Sequence, residues 1–213
     1  MAQSRRQRQA DARREQLLDL ALDLFAKQGF EATSTQQIAK AAGVTQGLVF
    51  HYFGSKEGLL SAVLSTRHSF TSQMAELLAE AETSPRPLGD VLHNLCTGWL
   101  HTLYRETSAT LLLAGLALTN PSFGTQLTET IATTQQMLET VLRQRREAGE
   151  VDEAADLQAA AHDILTPVIM FFLVHHASPR WQTEAARFVD SHCALWQRAL
   201  ATRSLPSSAP GMQ

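Results

Sequence analysis

The chain has 213 residues, of which 44% are hydrophobic and 18% are charged. This composition is typical of a globular protein with one large or two small domains. The longest apolar run, from Ile164 to Val174, is interrupted by Pro167 and is far shorter than the roughly 20 residues that cross a bilayer. Because no apolar signal core follows the basic N-terminus, we expect a cytoplasmic protein with no membrane partner.

Charge is distributed unevenly along the chain. Residues 1–64 carry eight Lys and Arg against six Asp and Glu, a net charge of +2, whereas the remainder has a net charge of −5. Five of those eight cations lie within the first fourteen residues. A basic end on an acidic protein indicates a polyanionic partner, and a solubilising tail is the alternative interpretation.

The chain has two cysteines, Cys96 and Cys193, which excludes a disulfide framework and a paired-cysteine metal site. Buried free thiols are the default expectation. The histidines near them occur singly or as adjacent pairs, and adjacent residues diverge by about 100° on a helix. We therefore predict no metal and no cofactor, with metal or redox sensing as the lesser alternatives.

The predicted elements are helices throughout, beginning with one from about Ala10 to Gln28. Gly29 ends this helix as a C-terminal cap. Its buried stripe consists of Leu17, Leu18, Ala21, Leu24 and Phe25, at the spacing of one helical face.

Three more helices follow. Ser34 and Thr35 suit the start of a short second helix that stops at Gly43. Thr45 suits the N-cap of a third, from about Gln46 to Tyr52. Ser55 suits the N-cap of a fourth, predicted from Lys56 to about Ala81.

Five further helices are predicted behind these, because prolines, glycines and an Asn-Pro pair separate the apolar stretches. The first of them follows Pro85 and Pro87, and the others run from about 111 to 118, 123 to 148, 154 to 177 and 180 to 201. We therefore predict an all-α fold of about nine helices. The predicted domains are a helix-turn-helix domain at 1–64, a helical bundle at 65–203 and a disordered Pro/Ser-rich tail at 204–213.

The most informative stretch runs from Thr33 to Leu60. Gly43 permits the positive φ that lets the third helix cross the second steeply, and Val44 fills the space between them. Ile38, Ala39 and Val49 then point inward. The outward face of the third helix is left with polar and aromatic side chains, a surface that a DNA major groove accepts.

This stretch resembles the TetR/AcrR family of transcriptional regulators over roughly residues 10–64. The resemblance rests on Ala21 to Gly29 followed by Phe30, on Ile38-Ala39 and Ala42-Gly43-Val44, on His51-Tyr52-Phe53, and on Ser55-Lys56-Glu57 with Leu59-Leu60. It implies that the second helix meets phosphate, that the third reads bases, and that the lysine starting the fourth anchors to phosphate.

The DNA-binding residues implied by the resemblance are Thr35, Gln36, Thr45, Gln46, Gly47, Leu48, His51, Tyr52 and Lys56. Gln46 is the candidate for adenine N6 and N7, and Leu48 for a thymine methyl group. Phe50 stands where many members have Tyr, so a phenol-to-phosphate hydrogen bond is unavailable. The segment Arg5–Arg14 is interpreted either as an arm in the minor groove or as a disordered tail.

Behind the motif, the resemblance implies an effector-binding domain. The predicted ligand residues are Met74, Cys96, Trp99, Leu103, Phe123, Met137, His162, Thr166 and Met170. They mix apolar with hydrogen-bonding groups, as small-molecule sites do, and Pro167 is expected to kink its helix beside them. Plain core packing is the alternative at each position.

The last two long helices carry more apolar surface than one internal face needs, and the family dimerises through these helices. The predicted dimer residues are Ile164, Val168, Phe171, Phe172, His175, Phe188, Leu195 and Trp196. A two-fold dimer places two recognition helices on successive major grooves.

The sequence therefore predicts a homodimeric repressor that binds a palindromic double-stranded operator and is released by a small, largely apolar effector. A ligand among Trp99, Met137, Thr166 and Met170 would shift the fourth helix. We expect no enzyme, because no nucleophile triad, phosphate loop or paired-carboxylate motif is present. The alternatives are a helical scaffold that binds proteins, an enzyme using the C-terminal histidines and, for the motif itself, a three-helix packing hub.

Overall fold

The structure is a computed structural model that describes residues 5–67 and 70–201. Within these ranges it has ten α-helices and no strand, which confirms the predicted all-α class. The helices are α1 (Arg5–Gln28), α2 (Thr35–Ala42), α3 (Gln46–Phe53), α4 (Lys56–Arg67), α5 (Phe70–Thr83), α6 (Leu88–Arg105), α7 (Thr107–Thr119), α8 (Pro121–Glu147), α9 (Leu157–His175) and α10 (Trp181–Leu200). The predicted tail at 204–213 lies outside the described residues.

Two predictions about the helices are corrected. The segment Arg5–Arg14 belongs to α1 and is not a disordered tail, because its Arg, Gln and Ala residues are good helix formers. The stretch predicted as one helix contains both α4 and α5, which makes ten helices in the described part of the chain instead of nine. Neither Gly nor Pro separates α4 from α5, so residue type carried no signal for the division.

The chain packs as two units, and α7 belongs with the N-terminal helices. Unit 1 comprises Met1–Ser72 and Thr102–Thr130, and unit 2 comprises Gln73–His101 and Ile131–Gln213. Unit 1 thus contains the predicted helix-turn-helix domain together with α7 and the beginning of α8. The sequence interpretation had assigned these last two to the C-terminal domain.

The core of unit 1 is formed by the apolar stripe of α1 and by the inward faces of α2, α3, α4 and α7. Its buried members include Leu17, Leu18, Phe25, Ile38, Val49, Leu59, Val63, Leu112 and Leu116. Full burial of each such side chain contributes about 1.5–3 kcal/mol before the entropy cost of ordering the chain. This core fixes α2 and α3 through their inward faces.

Local hydrogen bonds set where the short helices begin. The Ser34 hydroxyl accepts the Gln37 N–H at 3.2 Å, and the Gln37 side chain accepts the Ser34 N–H at 2.7 Å, which is a capping box. The Ser55 hydroxyl accepts the Gly58 N–H at 3.0 Å at the start of α4. A Cβ at Gly58 would overlap the Phe53 carbonyl oxygen, so the corner between α3 and α4 requires glycine there.

Unit 2 is a helical bundle whose core includes Leu92, Cys96 and Trp99 from α6 and Val168 and Phe172 from α9. The α9 helix continues through Pro167 without ending. By length and composition alone it is long and apolar enough to span a bilayer, which the interrupted run in the sequence did not suggest. Core helices of folded domains meet the same criterion, and seven residues of α9 are buried in unit 2.

Candidate nucleic-acid interface

The turn between α2 and α3 has the geometry that the sequence predicts. Gly43 adopts φ 65° and ψ 33°, in the left-handed region, and its N–H bonds to the Ala39 and Lys40 carbonyl oxygens. The next N–H, from Val44, bonds to the Ala39 carbonyl oxygen at 2.9 Å. With Ile38 and Val49 buried beneath the turn, α3 is fixed with one face inward and the other outward.

The outward face of α3 is open to solvent. Thr45, Gln46, Gly47 and His51 are exposed, and Leu48 is half-buried. Thr45 occupies the N-cap position but its hydroxyl makes no capping hydrogen bond there. A Cβ placed on Gly47 would reach no atom closer than the Thr45 hydroxyl at 4.0 Å, so this side of the helix offers a close approach for a ligand.

Gln46 is held by α2. Its side-chain Nε2 donates to the Thr35 hydroxyl oxygen at 2.8 Å, across the angle between the two helices. A primary amide has a second N–H beside its oxygen, and that pair is what recognises adenine N7 and N6. The bond to Thr35 therefore fixes the orientation of the Gln46 amide in the protein alone.

Thr35 differs from its predicted role in one respect. It is buried, with 7% of its surface exposed, and its hydroxyl is bonded to the Gln46 amide. The hydroxyl oxygen accepts from Gln46, which leaves the hydroxyl hydrogen as the donor for a phosphate. Gln36, predicted beside it, is exposed at the first turn of α2.

Tyr52 connects α3 to α1. Its hydroxyl donates to the Ala10 carbonyl oxygen at 3.4 Å, and its ring lies edge-on to His51 with centroids 5.6 Å apart. Arg14 of α1 stacks over the adjacent Phe53 ring at 5.5 Å. These contacts bring the arginine-bearing helix α1 against the C-terminal end of α3.

Lys56 is anchored to the loop between α1 and α2. Its ammonium donates to the Phe30 carbonyl oxygen at 3.0 Å and to the Glu31 carbonyl oxygen at 3.4 Å. It also lies 4.2 Å from the centroid of the Phe30 ring and 3.9 Å from the Glu31 carboxylate. A phosphate contact for Lys56 would therefore replace the weak, solvent-exposed pairing with Glu31.

A groove of about 280 Å³ brings together the predicted phosphate contacts from α2 and α4. Thr35 and Lys56 both line it, beside the N-terminus of α2. Helix N-termini and cations attract anions. Phe50 also lines this groove and is 44% exposed, so this position belongs to the candidate interface although the sequence interpretation treated it only as a departure from the family pattern.

The predicted ligand residues are divided between the units. Leu103 and Phe123 belong to unit 1, and the other seven belong to unit 2. Within unit 2, Met74, Cys96 and Trp99 are buried in the core, Thr166 is half-buried, and Met137, His162 and Met170 are exposed. These seven side chains therefore differ widely in exposure.

A cavity of about 350 Å³ lies within unit 1, between the end of α1 and α7. Phe123 is the one predicted ligand residue that lines it. Its apolar floor includes Phe25, Leu112 and Leu116, and its rim includes Glu31. The volume falls within the range of small-molecule sites.

The predicted dimer residues also separate by exposure. Ile164, Val168 and Phe172 are buried in the core of unit 2, and Phe171, His175, Phe188 and Trp196 are half-buried. The Phe171 ring stacks on His175 and Phe188, with centroids 4.4 and 4.6 Å away. Leu195 is exposed, and so are Met170 and Val174 on α9.

Two histidines of unit 2 lie beside carboxylates. His93 lies 3.1 Å from Asp190, and His175 lies 3.3 Å from Glu184. Among the residues that the structure describes, no three His, Cys, Asp or Glu side chains are grouped closely enough to hold a metal ion.

Comparison with known proteins indicates one family. Residues 17–63 match the family model described as bacterial regulatory proteins, tetR family. The HTH-type transcriptional regulator AcrR of Shigella flexneri is 35% identical over 105 residues, which span 49% of this chain and 48% of that protein. The HTH-type transcriptional repressor KstR2 of Rhodococcus jostii is 46% identical over 52 residues, 24% of this chain and 26% of the repressor. The chain thus spans about half of the first relative and a quarter of the second.

The likeness of fold extends further than the likeness of sequence. The solved structure of the ketosteroid transcriptional regulator KstR2 of Mycobacterium tuberculosis superposes with a TM-score of 0.68 and covers 90% of this chain and 96% of that one. The two chains are 21% identical, so the likeness concerns the fold alone.

Proposed function

We propose that the chain belongs to the TetR family of bacterial regulatory proteins, whose model residues 17–63 match, and that it is a sequence-specific DNA-binding transcriptional repressor. One observation supports this most directly. The outward face of α3 exposes Thr45, Gln46, Gly47 and His51 above a core that fixes the helix from below. If the three helices served only as a packing hub, there would be no need for an exposed face on α3 or for a Gln46 amide oriented by Thr35.

Gln46 is the residue for the decisive experiment. Selection of bound duplexes from a random pool identifies the operator, and Gln46→Ala is then compared with the parent chain on single-base variants of it. We expect Gln46→Ala to lose roughly 5-fold to 150-fold of its discrimination at one base pair, because a bidentate amide contact supplies about 1–3 kcal/mol. Binding titrations at fixed salt measure this.

The matched control is Gln182→Ala, an exposed glutamine on α10 in unit 2. It should bind every duplex as the parent does. A protein-binding scaffold, the alternative function, predicts that no duplex is enriched in the selection and that neither substitution changes retention on DNA. That outcome would overturn the proposal.

We further propose that the repressor acts as a homodimer on a palindromic operator. Two copies related by a two-fold axis place two α3 helices roughly 34 Å apart, the spacing of successive major grooves. The exposed apolar residues Met170, Val174 and Leu195 on α9 and α10 support a second copy as the partner. The family resemblance of the N-terminal domain supports a cytoplasmic, non-enzymatic role.

For the effector, we propose a small and largely apolar molecule bound in the cavity between α1 and α7. The cavity is lined by Phe30 and Glu31, the same loop residues that hold Lys56. A ligand there would alter the position of Lys56 within unit 1 and so weaken operator binding. By linkage, the operator must weaken ligand binding by the same factor.

Gly115 offers a test of this cavity. It lines the cavity, and a Cβ placed on it would meet no atom within 4 Å. We expect the parent chain to enhance the fluorescence of Nile red, an apolar dye, and Gly115→Phe to fill the cavity and abolish this enhancement. Gly115→Ala should leave the cavity open and stabilise α7 by about 0.5–1 kcal/mol.

A third variant, Thr166→Val, separates this site from the one predicted by sequence in unit 2. Loss of dye binding in Thr166→Val but not in Gly115→Phe would place the effector among Trp99, Met137, Thr166 and Met170 and would contradict the cavity between α1 and α7. Operator binding without dye serves as the folding control for all three variants.

A further inference from the structure

The outward surface of α3 has two flanks. Successive residues of an α-helix point about 100° apart, so His51 points outward midway between Phe50 on one side and Tyr52 on the other. The Phe50 flank faces the groove that Thr35 and Lys56 line. The Tyr52 flank faces α1, to which the Tyr52 hydroxyl is bonded.

A helix in a DNA major groove has a phosphate backbone along each flank. The groove is about 12 Å wide and an α-helix with its side chains is about 10–12 Å across, so both backbones come within reach. The groove of Thr35 and Lys56 is the proposed contact with one backbone. For the second backbone, the residues implied by the family resemblance offer Tyr52 on the opposite flank.

Tyr52 is poorly suited to bind that backbone directly. Its hydroxyl has one hydrogen, which it donates to the Ala10 carbonyl oxygen at 3.4 Å. The hydroxyl oxygen can then only accept hydrogen bonds, and a phosphate oxygen offers none. Tyr52 instead fastens α1 to the end of α3, so a phosphate on this flank needs a donor from the adjacent helix.

The adjacent helix, α1, is rich in such donors. Between residues 5 and 14 the chain has five arginines and one carboxylate. Arg13 is exposed and Arg14 is half-buried. The Arg14 guanidinium lies 5.5 Å from the centroid of the Phe53 ring, which directly follows Tyr52 in the chain. An arginine that stacks on a ring keeps the N–H groups at its edge for a phosphate.

The contacts that these arginines make within the protein are weak. Arg14 lies 3.6 Å from the Glu15 carboxylate, and Arg13 donates to the Gln16 side-chain oxygen at 3.3 Å, both near the surface. Exposed contacts of this kind contribute roughly 0–1 kcal/mol, so a phosphate can replace them. Asp11 and Glu15 each stand two positions from Arg13, about 200° away around the helix, so these carboxylates lie on the opposite side of α1.

The helical state of this segment also decides between the two grooves of DNA. The minor groove is about 6 Å wide, which is narrower than an α-helix at about 10–12 Å. The helix α1 therefore cannot follow the minor groove as an extended arm would. Its side chains can still reach phosphates at the edge of the major groove.

We propose that Arg13 and Arg14 bind the second phosphate backbone, on the flank of α3 opposite the groove of Thr35 and Lys56, and that Tyr52 positions them by fastening α1 to α3. The inference rests on the proposed DNA-binding function and adds two contacts to it. Phosphate contacts carry no base information, so these arginines set affinity and register and leave operator preference to α3.

The test measures affinity for the selected operator at several salt concentrations. Arg13→Gln and Arg14→Gln should each reduce the slope of log K against log salt by about 0.9, because one phosphate contact fewer releases fewer counterions. The loss of affinity between about 50 and 200 mM salt should then be about 3.5-fold smaller for each arginine removed. The ranking of single-base operator variants should stay as in the parent chain.

The matched control is Arg187→Gln, which removes the same charge from an exposed position on α10 in unit 2. It should keep the salt slope of the parent chain. Arg14→Lys keeps the charge and should keep the slope, even where thermal unfolding shows that loss of the stack on Phe53 lowers stability. Arg13→Gln, at an exposed position, decides the question if Arg14→Gln fails to fold.

Tyr52→Phe tests the positioning role. If the hydroxyl acts through α1, the double variant with Arg14→Gln should lose less affinity than the product of the two single losses, because both substitutions disturb one contact. Losses that multiply in full would mean that the Tyr52 hydroxyl meets phosphate independently, which contradicts its positioning role.

Unchanged salt slopes in both arginine variants, or changes no larger than that of Arg187→Gln, would overturn this inference. The effect of Gln46→Ala on base preference would then still stand, and the proposed function with it. Failure of the parent chain to select any duplex would instead overturn the proposed function and this inference together.

Discussion

At the scale of a single residue, Lys56 holds a loop in the structure and is also the proposed phosphate contact. Its ammonium bonds to the Phe30 and Glu31 carbonyl oxygens and stacks on the Phe30 ring, so it fastens the start of α4 to the loop before α2. The same ammonium lines the groove beside Thr35 at the N-terminus of α2. A cation in this position can hold the loop and meet a phosphate together.

We expect Lys56→Gln to weaken binding to all duplexes and to reduce the slope of log K against log salt by about one. Removal of one phosphate contact releases one counterion fewer on binding, which is the reason for the change in slope. Affinity measured at several salt concentrations provides the slope. Lys27→Gln is the control, because Lys27 is an exposed lysine of α1.

A lower stability with an unchanged salt slope would mean that Lys56 only anchors the loop. Thermal unfolding of both variants distinguishes this result from a loss of DNA contact.

The sequence predicts the local turns and helix caps of this site but not the hydrogen bonds between separate helices. The left-handed Gly43 and the caps at Ser34 and Ser55 depend on a few neighbouring residues, so the sequence predicts them well. The bond from Gln46 to Thr35 spans 11 positions and that from Lys56 to Phe30 spans 26. Such bonds depend on where separate helices are placed, which local sequence does not specify.

At the scale of elements, Arg145 and Glu150 join three parts of unit 2. Arg145, on α8, is buried and donates to the Ser84 and Arg86 carbonyl oxygens at 2.6 and 2.8 Å and to Glu150 at 2.7 Å. Glu150 also accepts the N–H of Leu88 at 2.8 Å at the start of α6. Burial alone would raise the pKa of Glu150, but the bonds from Arg145 and Leu88 lower it overall.

This pairing predicts a defined pH dependence of stability. The pKa of Glu150 is lower in the folded chain than its ordinary value of 4.5. Its contribution to the free energy of unfolding is therefore complete above pH 4.5 and is lost as the pH falls through the lowered pKa. We expect Glu150→Gln to lower the free energy of unfolding at pH 7 by about 1–2 kcal/mol. The difference from the parent chain should shrink on acidification, as urea titrations at several pH values would show.

The control for this prediction is Glu153→Gln, an exposed glutamate three residues further along. It should match the parent chain at every pH. An equal effect of both substitutions would mean that net charge, and not the contact with Arg145, governs the response.

The helices themselves were largely predictable, and their ends less so. The turn from α2 to α3 has a strong local signal in Gly43, and the apolar stripe of α1 has the period of a helix. The division into α4 and α5 had no marker residue, whereas α9 contains Pro167 in its interior as the sequence predicts. Helix ends that lack a Gly, a Pro or a capping residue depend on the packing of neighbouring helices, which local sequence does not specify.

At the scale of the whole molecule, the exposed apolar residues of unit 2 suggest where a second copy would bind. Met170 is 53% exposed, Val174 is 71% exposed and Leu195 is 54% exposed. Met170 and Val174 lie one turn apart on α9 and therefore share a face of the helix. The fully buried Ile164, Val168 and Phe172 support the core of the protomer beneath.

We expect the combined variant Met170→Glu and Leu195→Glu to convert a dimer into a 23.4 kDa monomer, because charge at an apolar interface is costly to desolvate. Light scattering after gel filtration measures the mass. Leu118→Glu is the control, since Leu118 is 89% exposed on α7 in unit 1. A dimer that survives the double substitution would exclude this face as the interface.

Sequence alone could not separate the core of unit 2 from its exposed apolar surface or locate a cavity. Apolar residues look the same in both settings, and only the placement of the helices shows that Phe172 is covered while Val174 is not. The cavity between α1 and α7 likewise results from helices far apart in sequence. Of the predicted effector residues, it is lined by Phe123 alone.

The bond between Thr35 and Gln46 has a consequence for how operator preference evolves. A change at position 35, such as Thr35→Val, removes the partner of the Gln46 amide without meeting any base itself. Relatives with the same α3 sequence could then prefer different DNA bases, because the residue at position 35 on α2 differs. Operator preference would then diverge through positions such as 35, which contact no base. A comparison limited to base-contacting residues would miss such positions.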